Sequence, residues 1–325
     1  MIEVKNVFKY YGNVMALDDV SFTVNEGEIV GFLGPNGAGK STMMNIITGY
    51  LSSTSGDASV CGIDVLENPD EAKKKIGFLP EQPPLYREMK VSEYLNFVYD
   101  LKKCTLNRKA HVDEIMAVTK IANVRDRLIG NLSKGYRQRV GIAQALVGNP
   151  SVMIFDEPTV GLDPKQIIEI RNLIRNLGKN HTVILSTHIL SEVQSVCDRI
   201  LIINEGRLIA DEKTENIARV AGSDRRYTVK IAGPRRDVLR ELRALSGVRS
   251  AEDTGDGDAD GAAFDVEAER GVDIRKPLFN MLASKGWPIM ELTPRRMSLE
   301  DVFVRIMDED ERRRTAPEGR RGGKE

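Results

Sequence analysis

Lys40 and Ser41 close a glycine-rich run, Gly34-Pro35-Asn36-Gly37-Ala38-Gly39-Lys40-Ser41-Thr42, whose residue types and spacing suit it to holding phosphate. Glycines let consecutive backbone N–H groups converge with no Cβ in the way. The concavity they form, closed by a helix N-terminus, attracts anionic oxygens. The spacing assigns Lys40 to the β- and γ-phosphates of a nucleoside triphosphate and the Ser41 hydroxyl to Mg²⁺. A second group, Asp156-Glu157, ends the apolar run 151–155. Adjacent carboxylates at a strand end are awkward for a fold and useful for a site. Asp156 stands where phosphate-loop ATPases place a metal carboxylate, and Glu157 could orient or deprotonate an attacking water. A third group, Leu132-Ser133-Lys134-Gly135-Tyr136-Arg137-Gln138-Arg139, offers Ser133 as a helix cap and Gly135 as a point of close backbone approach to an anion.

These groups need elements to hold them. Ile29-Val30-Gly31-Phe32-Leu33 reads as a buried strand before the glycines, and Met43-Met44-Asn45-Ile46-Ile47 as the helix after them, the context in which the motif becomes a site. Residues 1–33 otherwise read as short strands, with Val20–Val24 alternating apolar and polar. Residues 90–147 read as helical: Tyr94, Leu95, Val98 and Leu101 follow helical spacing, as do Val112, Ile115 and Met116. Gly148-Asn149-Pro150 ends the last of these helices. Asp163-Pro164 is an N-cap followed by proline at the first helical position, and Ile167, Ile170, Ile174 and Leu177 mark that helix's buried face. A further strand, 182–186, ends at Thr187-His188. Strands alternating with helices point to a mostly parallel sheet covered on both faces. Ligand groups then belong at the carboxyl ends of its strands, where the glycine loop, Asp156-Glu157 and His188 all stand.

Bulk properties narrow the class. The chain has 325 residues and a formal net charge of −1, which gives no support for nucleic acid as a partner. Three scattered cysteines and three histidines argue against a disulfide framework or a histidine-rich metal centre. No apolar run approaches the roughly 20 residues of a membrane span. Met1-Ile2-Glu3-Val4-Lys5 does not read as a signal peptide. The expectation is a soluble, intracellular protein.

The ordered motifs GPNGAGKST, LSKGYRQR, IFDEP, GLD and STH resemble the nucleotide-binding domain of the ATP-binding-cassette superfamily over roughly residues 1–215. LSKGYRQRVGIAQAL and the late Ser298-Leu299-Glu300-Asp301-Val302-Phe303 resemble, more narrowly, the ATPase subunits of type-2 ABC exporters. The resemblance implies an α/β phosphate-loop NTPase fold with a helical insert and a small α+β C-terminal domain. It implies ATP and Mg²⁺ as cofactors, and a head-to-tail homodimer sandwiching two ATPs. Each γ-phosphate would then meet the phosphate loop of one copy and Ser133 and Gly135 of the other. Tyr11 matches the aromatic that stacks on adenine, or else packs in the core. His188 matches a histidine contacting the γ-phosphate. Asp163 matches a loop coupling the two sites, or simply caps its helix. The family usually carries glutamine directly after the segment matching Ile76–Pro80. Here Glu81 stands there and Gln82 follows; either could serve the Mg²⁺ and water, and Glu81 is the choice at the metal. Leu85, Tyr86 and the helices after Val91 lie where the family docks a cytoplasmic helix of its transmembrane permease. The chain would thus be peripheral on the cytoplasmic face of the membrane. The alternative is a soluble ABC ATPase acting on ribosomes or DNA. It is disfavoured because each motif occurs once and the interval 43–131 carries no sustained heptads.

The expected domains are 1–217, with its helical insert at about 82–150, an accessory domain at 225–307, and a disordered charged tail at 308–325. A linker falls near 218–224. The accessory region reads as strand 227–232, helix 237–245, strand 264–268, helix 274–284 and strand 289–292, with a last helix from Ser298. Asp256-Gly257-Asp258-Ala259-Asp260-Gly261 followed by Glu267 fits calcium-loop spacing literally. Its position between two strands reads instead as an acidic hairpin loop, so no calcium is expected. Arg312-Arg313-Arg314 could touch anionic lipid, though a solvated tail fits better.

Overall fold

The computed structural model describes residues 2–216, 226–258, 260–269, 271–295 and 303. Two compact units divide the chain, Met1–Thr214 and Glu215–Glu325.

The first unit opens with an antiparallel hairpin, β1 (Ile2–Tyr11) and β2 (Val14–Val24), turned at Gly12 with φ 58°. Short strands are expected here from the broken alternation. The observed strands are 10 and 11 residues long because register shifts between Val4 and Tyr10 absorb the breaks. A bulge inserts one residue and returns the apolar side chains to the core face. β3 (Ile29–Leu33) is buried at every position, as a central parallel strand must be. It leads through the glycine loop into α1 (Lys40–Ile47). β4 (Ser55–Val60) and β5 (Ile63–Asp64) extend the hairpin into a four-stranded sheet, ordered β2-β1-β4-β5. α2 (Pro69–Lys75) and β6 (Ile76–Leu79) follow.

Next comes the helical insert, α3 (Val91–Leu101), α4 (Arg108–Val118) and α5 (Lys134–Leu146). The core then resumes with β7 (Val152–Asp156), α6 (Pro164–Leu177), β8 (Thr182–Thr187), α7 (Leu190–Val196), β9 (Arg199–Asn204) and β10 (Arg207–Lys213). A second sheet of six strands runs β10-β9-β3-β8-β7-β6, parallel throughout except for β10. α1 lies between the two sheets. Its Met43, Met44, Ile46 and Ile47 join Val4, Leu17 and Phe22 from one sheet and Phe32, Ile154 and Ile184 from the other in one core cluster. Each such side chain contributes about 1.5–3 kcal/mol by burial, so the helix that starts at Lys40 is fixed on both faces.

In the insert, Tyr94, Leu95 and Val98 are buried as their spacing predicts, but Leu101 is 68% exposed. The buried face continues through Tyr99, four residues after Leu95, and Leu101 rotates out at the helix end. Just beyond, Lys102 Nζ donates to the carbonyls of Ala145 and Val147 at 3.2 and 2.9 Å, closing the C-terminus of α5. Burial pulls the Lys102 ammonium down to about 8, below the ordinary lysine value of about 10.5. A lysine depressed in the fold is protonated in the unfolded chain first, so its contribution is full above pH 10.5 and lost as pH falls through about 8. The urea-unfolding free energy, followed by circular dichroism, should therefore gain about 1–2 kcal/mol between pH 8 and pH 10 relative to Lys102→Met. Parallel pH profiles for the two proteins would exclude this role.

The second unit contains β11 (Arg226–Ile231), α8 (Arg235–Ala244), β12 (Val248–Asp258), β13 (Gly261–Ala268), α9 (Arg275–Ser284) and β14 (Ile289–Arg295). Its sheet is ordered β12-β13-β11-β14 with every pair antiparallel, the split βαβ arrangement called ferredoxin-like. β12 is an element that the sequence reading lacks. Its last residues Asp256–Asp258 carry the first part of the calcium-like run and pair with β13, Gly257 opposite Ala262. Strands, not helices, flank the run. The linker expected at 218–224, the helix expected from Ser298, with only Phe303 described, and the tail with Arg312–Arg314 lie outside the described residues.

Candidate functional site

Gly34 has no room for a side chain: a Cβ there would sit 2.3 Å from the Ile203 carbonyl oxygen. Gly37 and Gly39 hold φ 82° and 106°, which favour glycine, and a Cβ on Gly39 would meet the Ala16 carbonyl at 2.7 Å. The loop therefore winds tightly over β2 and β9 and delivers Lys40 as the first residue of α1. Ala38 is tied to the β9–β10 turn by the Gly206 N–H at 2.9 Å. Asn36, Gly37 and Ser41 remain exposed around this turn, with Pro35 and Thr42 half-buried. The first N–H groups of α1 have no partners within the helix.

Lys40 is only 6% exposed. Its Nζ donates to the carbonyls of Gly34 at 2.9 Å and Pro35 at 3.1 Å, and lies 3.5 Å from Glu157 Oε1. Glu157 is itself buried and takes φ 48°, a left-handed conformation that a glutamate adopts at a cost of about 1–3 kcal/mol. Its N–H donates to the Ser186 carbonyl at 3.0 Å, which ties the strained residue to the end of β8. His188 Nδ1 lies 3.0 Å from both carboxylate oxygens of Glu157. An ionised carboxylate only accepts, so Nδ1 carries the proton. The Glu157 carboxylate is thus held between an ammonium and an imidazole, at the carboxyl ends of β7 and β8.

Asp156, one residue earlier, is 4% exposed. Its Oδ1 accepts from the Ser186 hydroxyl at 2.7 Å, which orients the carboxylate. Ser186 opens the STH motif, yet the sequence gives a role only to His188; its contact with Asp156 shows once β7 and β8 are neighbours. Glu81 and Gln82 follow β6 and are both exposed. Among the described residues no cluster of three or more His, Cys, Asp or Glu gathers to hold a metal. A metal here would need a donor set of few protein oxygens.

The remaining residues occupy other surfaces. Ser133 caps α5, its hydroxyl accepting from the Tyr136 N–H at 3.4 Å. Gly135 is buried because the Gln166 side chain lies over it: a Cβ would meet Gln166 Cδ at 2.6 Å. Lys134 reaches Gly161, whose Cβ would sit 2.1 Å from Nζ. The Ser133 turn therefore packs on the segment 161–166 of its own chain. Asp163 caps α6, accepting from the Gln166 N–H at 2.9 Å. Tyr11, at the hairpin tip, is 49% exposed and so not a core tyrosine. Lys9 Nζ stands 5.4 Å from its ring centroid. Tyr86 is 52% exposed and packs edge-on against Phe97 with centroids 5.4 Å apart.

Comparison with known proteins adds to this geometry. Residues 17–160 match the family described as ABC transporter. The chain is similar to the bacitracin transport ATP-binding protein BcrA of Bacillus licheniformis, with 30% identity over 309 residues, 94% of this chain and 97% of the relative. It is also similar to the Nod factor export ATP-binding protein I of Burkholderia orbicola, with 33% identity over 309 residues, 94% and 96% of the two chains. Among solved structures, the dimer of MJ0796, a bacterial ABC transporter cassette, aligns at TM-score 0.61 and 31% identity over 66% of this chain and 99% of that one. A post-hydrolysis dimer of the same cassette with ADP and Pi aligns at TM-score 0.60 and 30% identity over the same shares.

Proposed function

The chain belongs to the ABC transporter family as an ATP-binding, ATP-hydrolysing subunit, and from that premise we propose that it drives an exporter from the cytoplasmic face of a membrane. The export direction is carried over from the relative named for Nod factor export. The single observation that carries the chemistry is the Glu157 carboxylate held between Lys40 and His188, beside a glycine cradle.

In this reading the phosphate loop takes the triphosphate and Lys40 exchanges its carbonyl partners for phosphate oxygens. Glu157, released from Lys40, accepts a proton from the attacking water. His188 holds Glu157 in line and faces the γ-phosphate. Adenine stacks on Tyr11. Mg²⁺ suits Ser41 and Asp156, since it is held by one or two carboxylates plus substrate phosphates. When bound, it neutralises charge between the β- and γ-phosphates. Ser133 and Gly135 of a second copy present a capped helix N-terminus to the same γ-phosphate, and Asp163 lies at the junction. Two ATPs thus close a homodimer, because ATP makes contacts in the closed state that the open state lacks.

Glu81 remains our choice at the metal. Glu81→Gln should lower turnover at limiting Mg²⁺ at least about threefold more than Gln82→Ala does. Turnover measured across Mg²⁺ concentrations decides, and a loss confined to Gln82→Ala reverses the assignment.

Exposed Tyr86 and Phe97, with half-buried Leu85 next to Tyr86 in the chain, offer an apolar edge on the insert, and a permease's cytoplasmic helix is the proposed occupant. Among the described residues no helix is long and apolar enough to cross a membrane, and in this reading the permease supplies the path. The test is purification of the tagged chain from detergent-solubilised membranes of its own host. A multi-span membrane protein should be retained, and lost in the Tyr86→Asp, Phe97→Asp double variant while ATP binding persists. Retention of ribosomes in place of a membrane protein would favour the soluble alternative.

A further inference from the structure

Glu192 on α7 is fully buried, at 0% exposure, and lies outside every motif described above. A carboxylate removed from water needs partners that satisfy both oxygens. Here the partners come from the two loops that carry the catalytic groups. Oε1 accepts from the Thr159 hydroxyl, two residues after Glu157. Oε2 accepts from the Thr187 hydroxyl at 2.9 Å, one residue before His188. Thr187 Oγ1 in turn accepts from the Ile189 N–H at 3.1 Å, so its proton is committed to Glu192. Arg171 of α6 supplies the countercharge, with Nη2 3.5 Å from Oε1.

The helix that carries Glu192 is itself locked to the strand feeding the phosphate loop. A Cβ on Gly31 of β3 would sit 2.4 Å from Val193 Cγ1 and 3.1 Å from Cys197 Sγ. The missing side chain lets α7 seat directly on β3. Val193, next to Glu192, is the contact. One rigid reference therefore joins three parts: the strand that launches the glycine loop, the loop holding Glu157 and the loop holding His188.

We propose that Glu192 is a positioning residue for hydrolysis, a two-oxygen clamp that sets the separation of Glu157 and His188 through Thr159 and Thr187. The inference rests on the ATPase reading of the site. A general base works only when held within about hydrogen-bond reach of its water, and a displacement near 1 Å costs about 10²-fold in rate. Glu192 is fully buried, and its carboxylate contacts Thr159, Thr187 and Arg171 and no residue of the phosphate loop, so its loss acts on the chemical step and not on ATP capture by that loop.

Valine replaces threonine at nearly constant volume, and so removes one hydroxyl of the clamp at a time. Thr159→Val and Thr187→Val should each lower kcat about tenfold or more while KM for ATP stays within about threefold. Thr159→Ser and Thr187→Ser, which keep the hydroxyl, should recover most of kcat. Glu192→Gln, with one acceptor oxygen left, should fall less than Glu192→Ala. The inference is overturned if the valine variants keep parental kcat, or if KM rises in step with the fall in kcat. It is also overturned if serine fails to rescue, or if the valine variants lose their fold by circular dichroism; the hydroxyls would then serve stability alone. Glu157→Gln run in parallel separates the two levels. Parental turnover in that variant sinks the reading of the site, whereas parental turnover in the valine variants beside a dead Glu157→Gln sinks only the clamp.

Discussion

Glu157→Gln should retain ATP affinity, lose about 10²–10⁴-fold in turnover, and accumulate as an ATP-bound dimer. The amide preserves the shape and one acceptor oxygen, so His188 Nδ1 keeps a partner where it now meets both carboxylate oxygens at 3.0 Å. What disappears is the basic oxygen that takes the proton from water. Lys40, 3.5 Å from Glu157 Oε1, loses a buried countercharge at the same time. In the free protein that loss would be costly, but the γ-phosphate supplies the replacement, so nucleotide binding is favoured over the empty state. Removing a carboxylate beside the γ-phosphate also removes like-charge repulsion. Both effects act in one direction: ATP enters, the dimer closes and nothing reopens it. Phosphate release and light scattering, with and without ATP, check the two halves separately. A variant that turns over like the parent would remove Glu157 from the proton-transfer step, and one that fails to bind ATP would make its pairing with Lys40 structural.

The same residues show how far the sequence could be read. Asp156 and His188 were legible because each stands at the end of an apolar run, and Lys40 because a glycine loop links it to one; a buried parallel strand announces itself by unbroken hydrophobicity. β12 was not, for the opposite reason. Its sequence from Glu252 to Asp258 has no apolar alternation, because β12 is an edge strand whose backbone pairs with β13 and, past the buried Ala251, the residues from Glu252 to Gly257 are exposed. Gly255 at φ 80° and a register shift between Asp253 and Gly257 blur the pattern further. β1 read as broken because its bulges are a property of pairing and not of composition. Leu101 was misplaced because three-residue and four-residue steps are equally helical, and only packing chooses between Leu101 and Tyr99. Glu192 illustrates the deeper limit. A glutamate on a short helix reads as a solvated charge, and nothing local says that two threonines from separate loops will meet it. Glu157 is intermediate: the motif names it, but its left-handed backbone and its grip by Lys40 and His188 emerge only when β7, β8 and β3 are neighbours.

Gly135→Asp should leave ATP binding to the single chain within about threefold of the parent, yet abolish both turnover and ATP-dependent dimerisation. Within its own protomer Gly135 is covered by Gln166, whose side-chain atoms begin 2.6 Å from a Cβ position. That neighbour is the end of a flexible side chain, so a small residue is accommodated by its displacement and the fold survives. The new carboxylate lies in the first turn of α5, where it is compatible with the helix dipole. It is incompatible with a second negative group arriving from a partner. Two unit charges about 4 Å apart repel by roughly 4 kcal/mol at an effective dielectric near 20, and a closed homodimer would contain that clash twice. Even half this value in each site lowers the association constant by about 10²–10³-fold. Because Gly135 packs on the 161–166 segment, far in sequence from the phosphate loop, binding to one protomer has no reason to change. The measurement is best made in the Glu157→Gln background, where the parent dimer persists: size-exclusion chromatography with ATP should give a dimer for Glu157→Gln and a monomer for the double variant. A dimer in both would mean that the helix tip of one copy does not meet the triphosphate held by the other, and loss of ATP binding in the monomer would place Gly135 in the cradle of its own chain.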